Sequence, residues 1–262
     1  MPVTKLLIEK AGAIATITLN RPDHGNAIDM DLARELARAA ADCAGDDGVR
    51  CVVLTGAGRM FSVGGDVGAF ADAGDQAGPF LRELADVLHG AVLTLATMNK
   101  PLVTVVNGPA AGAGMSLAIL GDLVIASDAA HFTAAYTAIG LTPDGGMSWL
   151  LPRLIGVRAA QRMILTNVRV PAAEAVEIGL VTRIVPAEAL TADAGALAAQ
   201  LAAGPIRALG GARGLLLASS TQGLAAHLDV EAAMIATAGA GAEAQEGIDA
   251  FLGRRTADFS DR

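Results

Sequence analysis

The chain reads as an α/β protein, and three observations predict that class. Strand-like and helix-like stretches alternate through the first half. Two glycine-rich loops each follow a buried, β-branched run. Past Ala159 the pattern becomes almost wholly helical. At 262 residues the chain can bury a full core as one large domain or one domain with an appendage. The boundaries that follow are an α/β core over 1–195 and a helical region over 196–262.

Lys5–Glu9 and Ala13–Asn20 are predicted strands, the second rich in β-branched residues. Arg21-Pro22-Asp23-His24-Gly25-Asn26 is a turn by composition. From Asp29, a helix N-cap by type, Leu32, Leu36, Ala39, Ala40 and Cys43 share one helical face. Arg50–Thr55 is a short apolar strand, and Gly56 to Gly68 the first glycine loop. Gly68–Gly78, rich in Ala, Gly and Asp, is predicted as a loop that shapes a pocket. Phe80–Met98 is a long helix with Leu81, Leu84, Leu88 and Leu95 inward, ended by Lys100-Pro101.

Leu102–Ile119 carries no charge, but Asn107-Gly108-Pro109 interrupts it. A spanning helix needs ~20 unbroken apolar residues, so the run parses as strand, loop and short helix. Asp122–Ala126 and Val181–Val185 are further strands. Ala159–Leu165, Pro171–Ile178, Ala187–Ala202, Ile206–Ala218 and Thr221–Ala238 are predicted helices. Helices that cannot bury both faces on one core pack on a partner subunit, so an oligomer is expected.

Composition narrows the function. A net charge of −8, with no basic cluster interleaved with aromatics, excludes nucleic acid as the expected partner. Cys43 and Cys51 have no companion cluster, so neither a disulfide framework nor a zinc site is expected. Met1 to Glu9 lacks the basic-then-apolar order of a secretory leader, and a cytoplasmic location is the default.

The chemistry sits in the two loops, Gly64-Gly65-Asp66 and Gly112-Ala113-Gly114. Small residues let a ligand approach the main chain, and two turns after strands of one α/β half can aim a donor apiece at a single oxygen. From the glycines alone, two tight turns without a ligand remain equally open. Neither loop is a dinucleotide fingerprint, because Phe61 and Leu117 stand where the third glycine belongs. Gly114-Met115-Ser116-Leu117-Ala118 lacks the final glycine of a serine-hydrolase elbow.

Five ordered motifs carry a resemblance. Gly56-Ala57-Gly58 through Phe61-Ser62-Val63-Gly64-Gly65-Asp66 and Lys100-Pro101 through Asn107-Gly108-Pro109-Ala110-Ala111-Gly112-Ala113-Gly114 resemble the two signatures of the crotonase (enoyl-CoA hydratase/isomerase) superfamily. Asn20-Arg21-Pro22 with Asn26-Ala27 resembles its N-terminal turn, and Pro143-Asp144-Gly145-Gly146 with Leu151-Pro152-Arg153 its third region. Ala250-Phe251-Leu252-Gly253-Arg254-Arg255 resembles its closing helix. The resemblance implies a ββα spiral core, a C-terminal trimerisation region, and a homo-trimer or hexamer acting on acyl-CoA thioesters. No metal or redox cofactor is implied, coenzyme A being part of the substrate. By the same resemblance the N–H groups of Gly65 and Ala113 grip the thioester oxygen. His24, Ala27, Val63, Gly64, Asp66 and Gly112 then line the path of the CoA moiety and acyl group.

Hydratases of this family add water with two glutamates, and this chain has Ser116 and Tyr136 at those positions. Neither is a carboxylate, and neither is a useful base at neutral pH. Ser116 is then structural, while Tyr136 either packs or orients the acyl group. Asp144 stands where isomerase-type members carry their catalytic acid, and one carboxylate suffices to move a proton from C2 to C4. Ala110, Ala111 and Met115 are expected to line its surroundings. Dehalogenase-type members place a nucleophilic Asp at the same position. Asp144 is equally suited by type to cap the helix carrying Met147 and Leu150. An acyl-CoA binder without catalytic acids is the remaining alternative.

Overall fold

The computed structural model describes residues 4–260, so Met1 to Val3 of the stretch read for a leader, and Asp261 and Arg262 of the C-terminal region, lie outside the described residues. Strands β1 (Leu6–Ala11) and β2 (Ile14–Leu19) form an antiparallel hairpin, turned at Gly12 with φ 57°. Ala15, Ile17 and Leu19 alternate inward along β2. Helix α1 (Met30–Gly45) starts where Asp29 accepts a hydrogen bond from the Leu32 N–H, and it buries the predicted face from Leu32 to Cys43. Strand β3 (Cys51–Gly56) follows, then α2 (Val67–Asp72) and α3 (Ala77–Thr97).

The predicted loop Gly68–Gly78 is therefore largely helical. Asp66 caps α2 through the Ala69 N–H, and Pro79 sits in the first turn of α3, where its missing N–H costs nothing.

The uncharged run Leu102–Ile119 divides into β4 (Leu102–Val106), β5 (Ala110–Ala111) and α4 (Ala113–Ala118). Among the described residues no helix is long and apolar enough to cross a membrane. Strands β6 (Leu123–Ser127) and β7 (His131–Thr133) precede α5 (Met147–Thr166), which breaks at Gly156 (φ 77°, ψ 156°). Then come β8 (Val170–Pro171), α6 (Ala172–Glu177) and β9 (Arg183–Val185). Four helices close the chain: α7 (Leu190–Ala202), α8 (Ile206–Ser219), α9 (Leu224–Gly239) and α10 (Ala242–Leu252). The predicted closing segment Ala250–Arg255 thus leaves the helix at Gly253.

The main sheet has the order β1-β2-β3-β4-β6-β9, parallel from β2 onward. Its central strands are continuous apolar runs because helices cover both faces. Val52, Leu54, Leu102, Val106 and Val124 face α1 and α3. Cys51, Val53, Val103, Val105 and Ile125 face Leu190, Ala194, Ala198 and Ala202 of α7. The alanine row lets α7 sit close, as an Ala-rich composition requires. The expected boundary at 195/196 falls inside this helix. A small second sheet, β5-β7-β8, carries the second glycine loop and the approach to Tyr136.

Candidate active site

The first loop is built around Asn26, fully buried at φ 55°. Its Oδ1 accepts from the Arg21 N–H at 2.8 Å, and its Nδ2 donates to the carbonyls of Ala57 and Met60 at 2.9 and 2.8 Å. Ser62 Oγ donates to the Asn26 carbonyl at 2.8 Å, and Asn107 Nδ2 donates to the Gly58 carbonyl at 2.9 Å. Buried carbonyls of a tight turn need such donors, since an orphaned one costs about 1–3 kcal/mol.

Ile28 bridges to Gly65 in a parallel pairing made by the neighbouring groups. The Ile28 N–H donates to the Gly64 carbonyl at 2.7 Å, and the Asp66 N–H donates to the Ile28 carbonyl at 3.0 Å. In that geometry the Gly65 N–H itself turns away from Ile28. Gly65 is one of the residues that line the cavity described below.

The second loop lies directly against the first. Gly64 stands at φ 97°, and a Cβ there would come within 2.8 Å of the Ala111 carbonyl oxygen and 3.2 Å of the Ala113 nitrogen. Gly112 (φ 52°, ψ −131°) occupies a region open to glycine alone, and its N–H donates to the Thr133 carbonyl at 3.1 Å. Ala113 is the first residue of α4, so its N–H has no acceptor within the helix.

Asp144 completes the group, and its side chain does not cap α5. The N-cap is Gly146, with no side-chain bond. The Asp144 carboxylate instead accepts from the Tyr136 hydroxyl at Oδ1, at 2.6 Å. Its carbonyl accepts from Ser116 Oγ at 3.0 Å and from the Met147 N–H at 3.1 Å. Ser116 Oγ and Tyr136 Oη are 3.1 Å apart. Burial first, and then the Asp144 charge, push the Tyr136 hydroxyl well above its ordinary range. It therefore stays protonated and can only donate to the carboxylate.

Val63, Gly65, Gly112, Ala113, Tyr136 and Asp144 all line one cavity of about 370 Å³. Its other walls are apolar, from Ile28, Val67, Phe70, Leu84 and Leu88 among others, with Arg82 as its cation. Asp144 is its single carboxylate among the described residues.

The other sequence candidates lie elsewhere. Ser116 is buried under the Asp144 turn, and Gly64 holds the two loops together. His24 is exposed in a 3-10 turn (Pro22–His24), and Ala27 is buried with its carbonyl accepting from Arg21. The Asp66 carboxylate pairs with Arg21 at 3.0 Å and caps α2. Ala110 and Met115, expected at the lining, are buried outside it, and Ala111 also stands outside it.

Sequence spacing does not mark α3 as a cavity wall, because Leu84 and Leu88 carry the same signal as core positions. His89 of the same helix accepts at Nε2 from the Gly145 N–H at 3.1 Å. Nothing in the sequence marks a lone histidine on a helix as the partner of a turn 56 residues away.

Comparison with known proteins shows the family. The model of the enoyl-CoA hydratase/isomerase family matches residues 9–262. The chain is 36% identical over 255 residues to the 1,2-epoxyphenylacetyl-CoA isomerase of Escherichia coli (strain K12), covering 94% of this chain and 95% of that one. It is 32% identical over 260 residues to the 2,3-dehydroadipyl-CoA hydratase of the same organism, covering 99% and 100%. The crystal structure of an enoyl-CoA hydratase from Polaromonas sp. JS666 superposes with a TM-score of 0.92 at 30% identity, over 97% of this chain and 98% of that one. Ordered motifs, a parallel sheet with C-terminal helices, two touching glycine loops and a family match over residues 9–262 converge: this chain is a crotonase-fold enzyme of the enoyl-CoA hydratase/isomerase family.

Proposed function

We propose that this enzyme shifts a C=C bond of an enoyl-CoA thioester from Δ3 to Δ2. The carrying observation is that Asp144 is, among the described residues, the one carboxylate lining the cavity that Gly65 and Ala113 also line. The family resemblance implies in addition that Ser116 and Tyr136 stand where hydratases carry glutamates. In this reading the N–H groups of Gly65 and Ala113 donate to the thioester oxygen. Such donors favour the enolate over the neutral carbonyl, each by about 3 kcal/mol. Asp144 takes a proton from C2, and the electron pair moves into the carbonyl to give the dienolate. The same carboxyl returns the proton at C4 as the C3–C4 double bond becomes C2–C3 and the carbonyl re-forms. The sequence needs no bound water and no group beyond the substrate.

Tyr136 supports the reading by holding Oδ1 and leaving Oδ2 as the basic oxygen. One relative is named as an isomerase of a different acyl-CoA, 1,2-epoxyphenylacetyl-CoA, and the hydratase name of another sets the competing arm of the test. A 3-enoyl-CoA and a 2-enoyl-CoA are supplied separately, and the conjugated thioester is followed by its absorbance. Conjugation gained from the first and lost by at least ~100-fold in Asp144→Asn is expected. Rapid hydration of the second would replace the isomerase by a hydratase, and binding without either change would indicate a non-catalytic acyl-CoA carrier.

We propose further that the chain assembles as a homo-trimer or hexamer. Helix α9 has no buried residue, and Leu224, Leu228 and Ile235 are exposed along it. A 16-residue helix of that apolarity is stable only with its face covered.

A further inference from the structure

The peptide unit between Asp144 and Gly145 is held at both ends by different helices. Its carbonyl accepts from Ser116 Oγ of α4 at 3.0 Å, and its N–H donates to His89 Nε2 of α3 at 3.1 Å. Local chain stiffness contributes little here. Gly145 and Gly146 stand at φ 59° and 82°, so two successive residues have glycine's full freedom to rotate. A Cβ on Gly145 would lie 2.9 Å from Ser116 Cβ, so the turn is packed down on α4 on one side only. On the other side it meets α3, through His89 and at Val92 beneath Gly146. The same helix supplies Leu84 and Leu88 to the cavity wall.

We propose that His89 is a positioning residue for Asp144. Its neutral imidazole, with the proton on Nδ1, accepts the Gly145 N–H and fixes the Asp144 carboxylate relative to the cavity. The inference rests on Asp144 being the proton-transferring group. Chemistry of that kind tolerates little displacement, since a shift of about 1 Å can cost ~100-fold in rate. Tyr136 then sets the rotation of the carboxylate, and His89 with Ser116 sets the place of the backbone that carries it.

His89 is exposed, so its replacement opens no core cavity and the fold is retained. Two variants separate the acceptor from mere bulk: His89→Leu fills the space without a lone pair, and His89→Gln places an amide oxygen near the position of Nε2. Hydrogen exchange of the segment containing the Gly145 amide is measured for both, together with kcat and KM for 3-enoyl-CoA. The expected result is faster exchange in His89→Leu, a roughly tenfold fall in kcat with KM within about twofold, and recovery of most of both effects in His89→Gln. Unchanged exchange in His89→Leu overturns the inference, as does equal loss in the two variants or a change confined to KM. Full activity in Asp144→Asn would instead remove the reading beneath it. An inactive Asp144→Asn beside a fully active His89→Leu would remove this inference alone.

Discussion

Tyr136 and Ser116 both bind Asp144, the tyrosine at the carboxylate and the serine at the backbone carbonyl. A hydrogen bond to a charged group contributes about 1.5–3 kcal/mol and fixes Asp144 Oδ1 in one rotation, and a reacting group displaced by about 1 Å can lose ~100-fold in rate. Tyr136→Phe is therefore expected to lower kcat for isomerisation about tenfold while the melting temperature stays within a few degrees of the parent. Steady-state kinetics beside a thermal melt check it, and an unchanged kcat would assign Tyr136 to packing. Cys51 belongs to the opposite category, a reactive group made inert. Burial pushes its thiol up to about 12, with the Asp122 charge adding to the effect. A thiol whose folded value is raised holds its proton below the unfolded value of ~8.5, and its contribution to stability is lost as pH rises from there toward 12. Iodoacetamide at pH 8 should leave Cys51 unmodified in the native protein and alkylate it once denatured, as read by mass spectrometry.

The glycine loops act as a pair, and their contact can be broken by one methyl group. Gly64 at φ 97° meets the Ala111 carbonyl at a distance no Cβ tolerates. Gly64→Ala should cost about 1–3 kcal/mol of stability through backbone strain. It should also lower kcat about 100-fold by parting the Gly65 and Ala113 amides. Urea midpoints and kinetics test both halves, and intact activity would mean the two amides do not work together. Helix α3 shows why an element can be legible while its function is not. Its inward leucines are visible in the sequence spacing, yet the same face serves as core at Leu95 and as cavity wall at Leu84 and Leu88. Periodicity reports that a face is covered, and says nothing of what covers it. Gly68–Gly78 shows the converse, since alanine and glycine content suggested a loop and Asp66 turned part of it into a capped helix.

Across the whole molecule, burial is uneven. The sheet and its two helical layers are closed, whereas α8, α9 and α10 surround a further, largely apolar cavity of about 1030 Å³ and expose Leu216, Leu224, Ile235 and Phe251. Covering that surface in an assembly is the expected outcome. Light scattering coupled to size exclusion should give a trimer or hexamer, and Ile235→Lys should shift it toward the monomer. A monomeric parent protein at micromolar concentration would refute the assembly.

What the sequence determined alone is local in cause. The strand and helix pattern, the Asp29 cap, the interrupted apolar run and the two glycine turns each follow from a few adjacent residues, whose conformations sterics and capping restrict. Gly65, Ala113 and Asp144 became candidates through the resemblance of the ordered motifs to the family, and all three line the cavity. What tertiary structure decided is which distant groups meet. Asp66 became a partner of Arg21 and a helix cap, Asp144 an acceptor from Tyr136 rather than a cap, and His89 the holder of the Gly145 amide. A side chain's hydrogen-bonding capacity is written in its type, but its partner depends on packing between helices far apart in the chain.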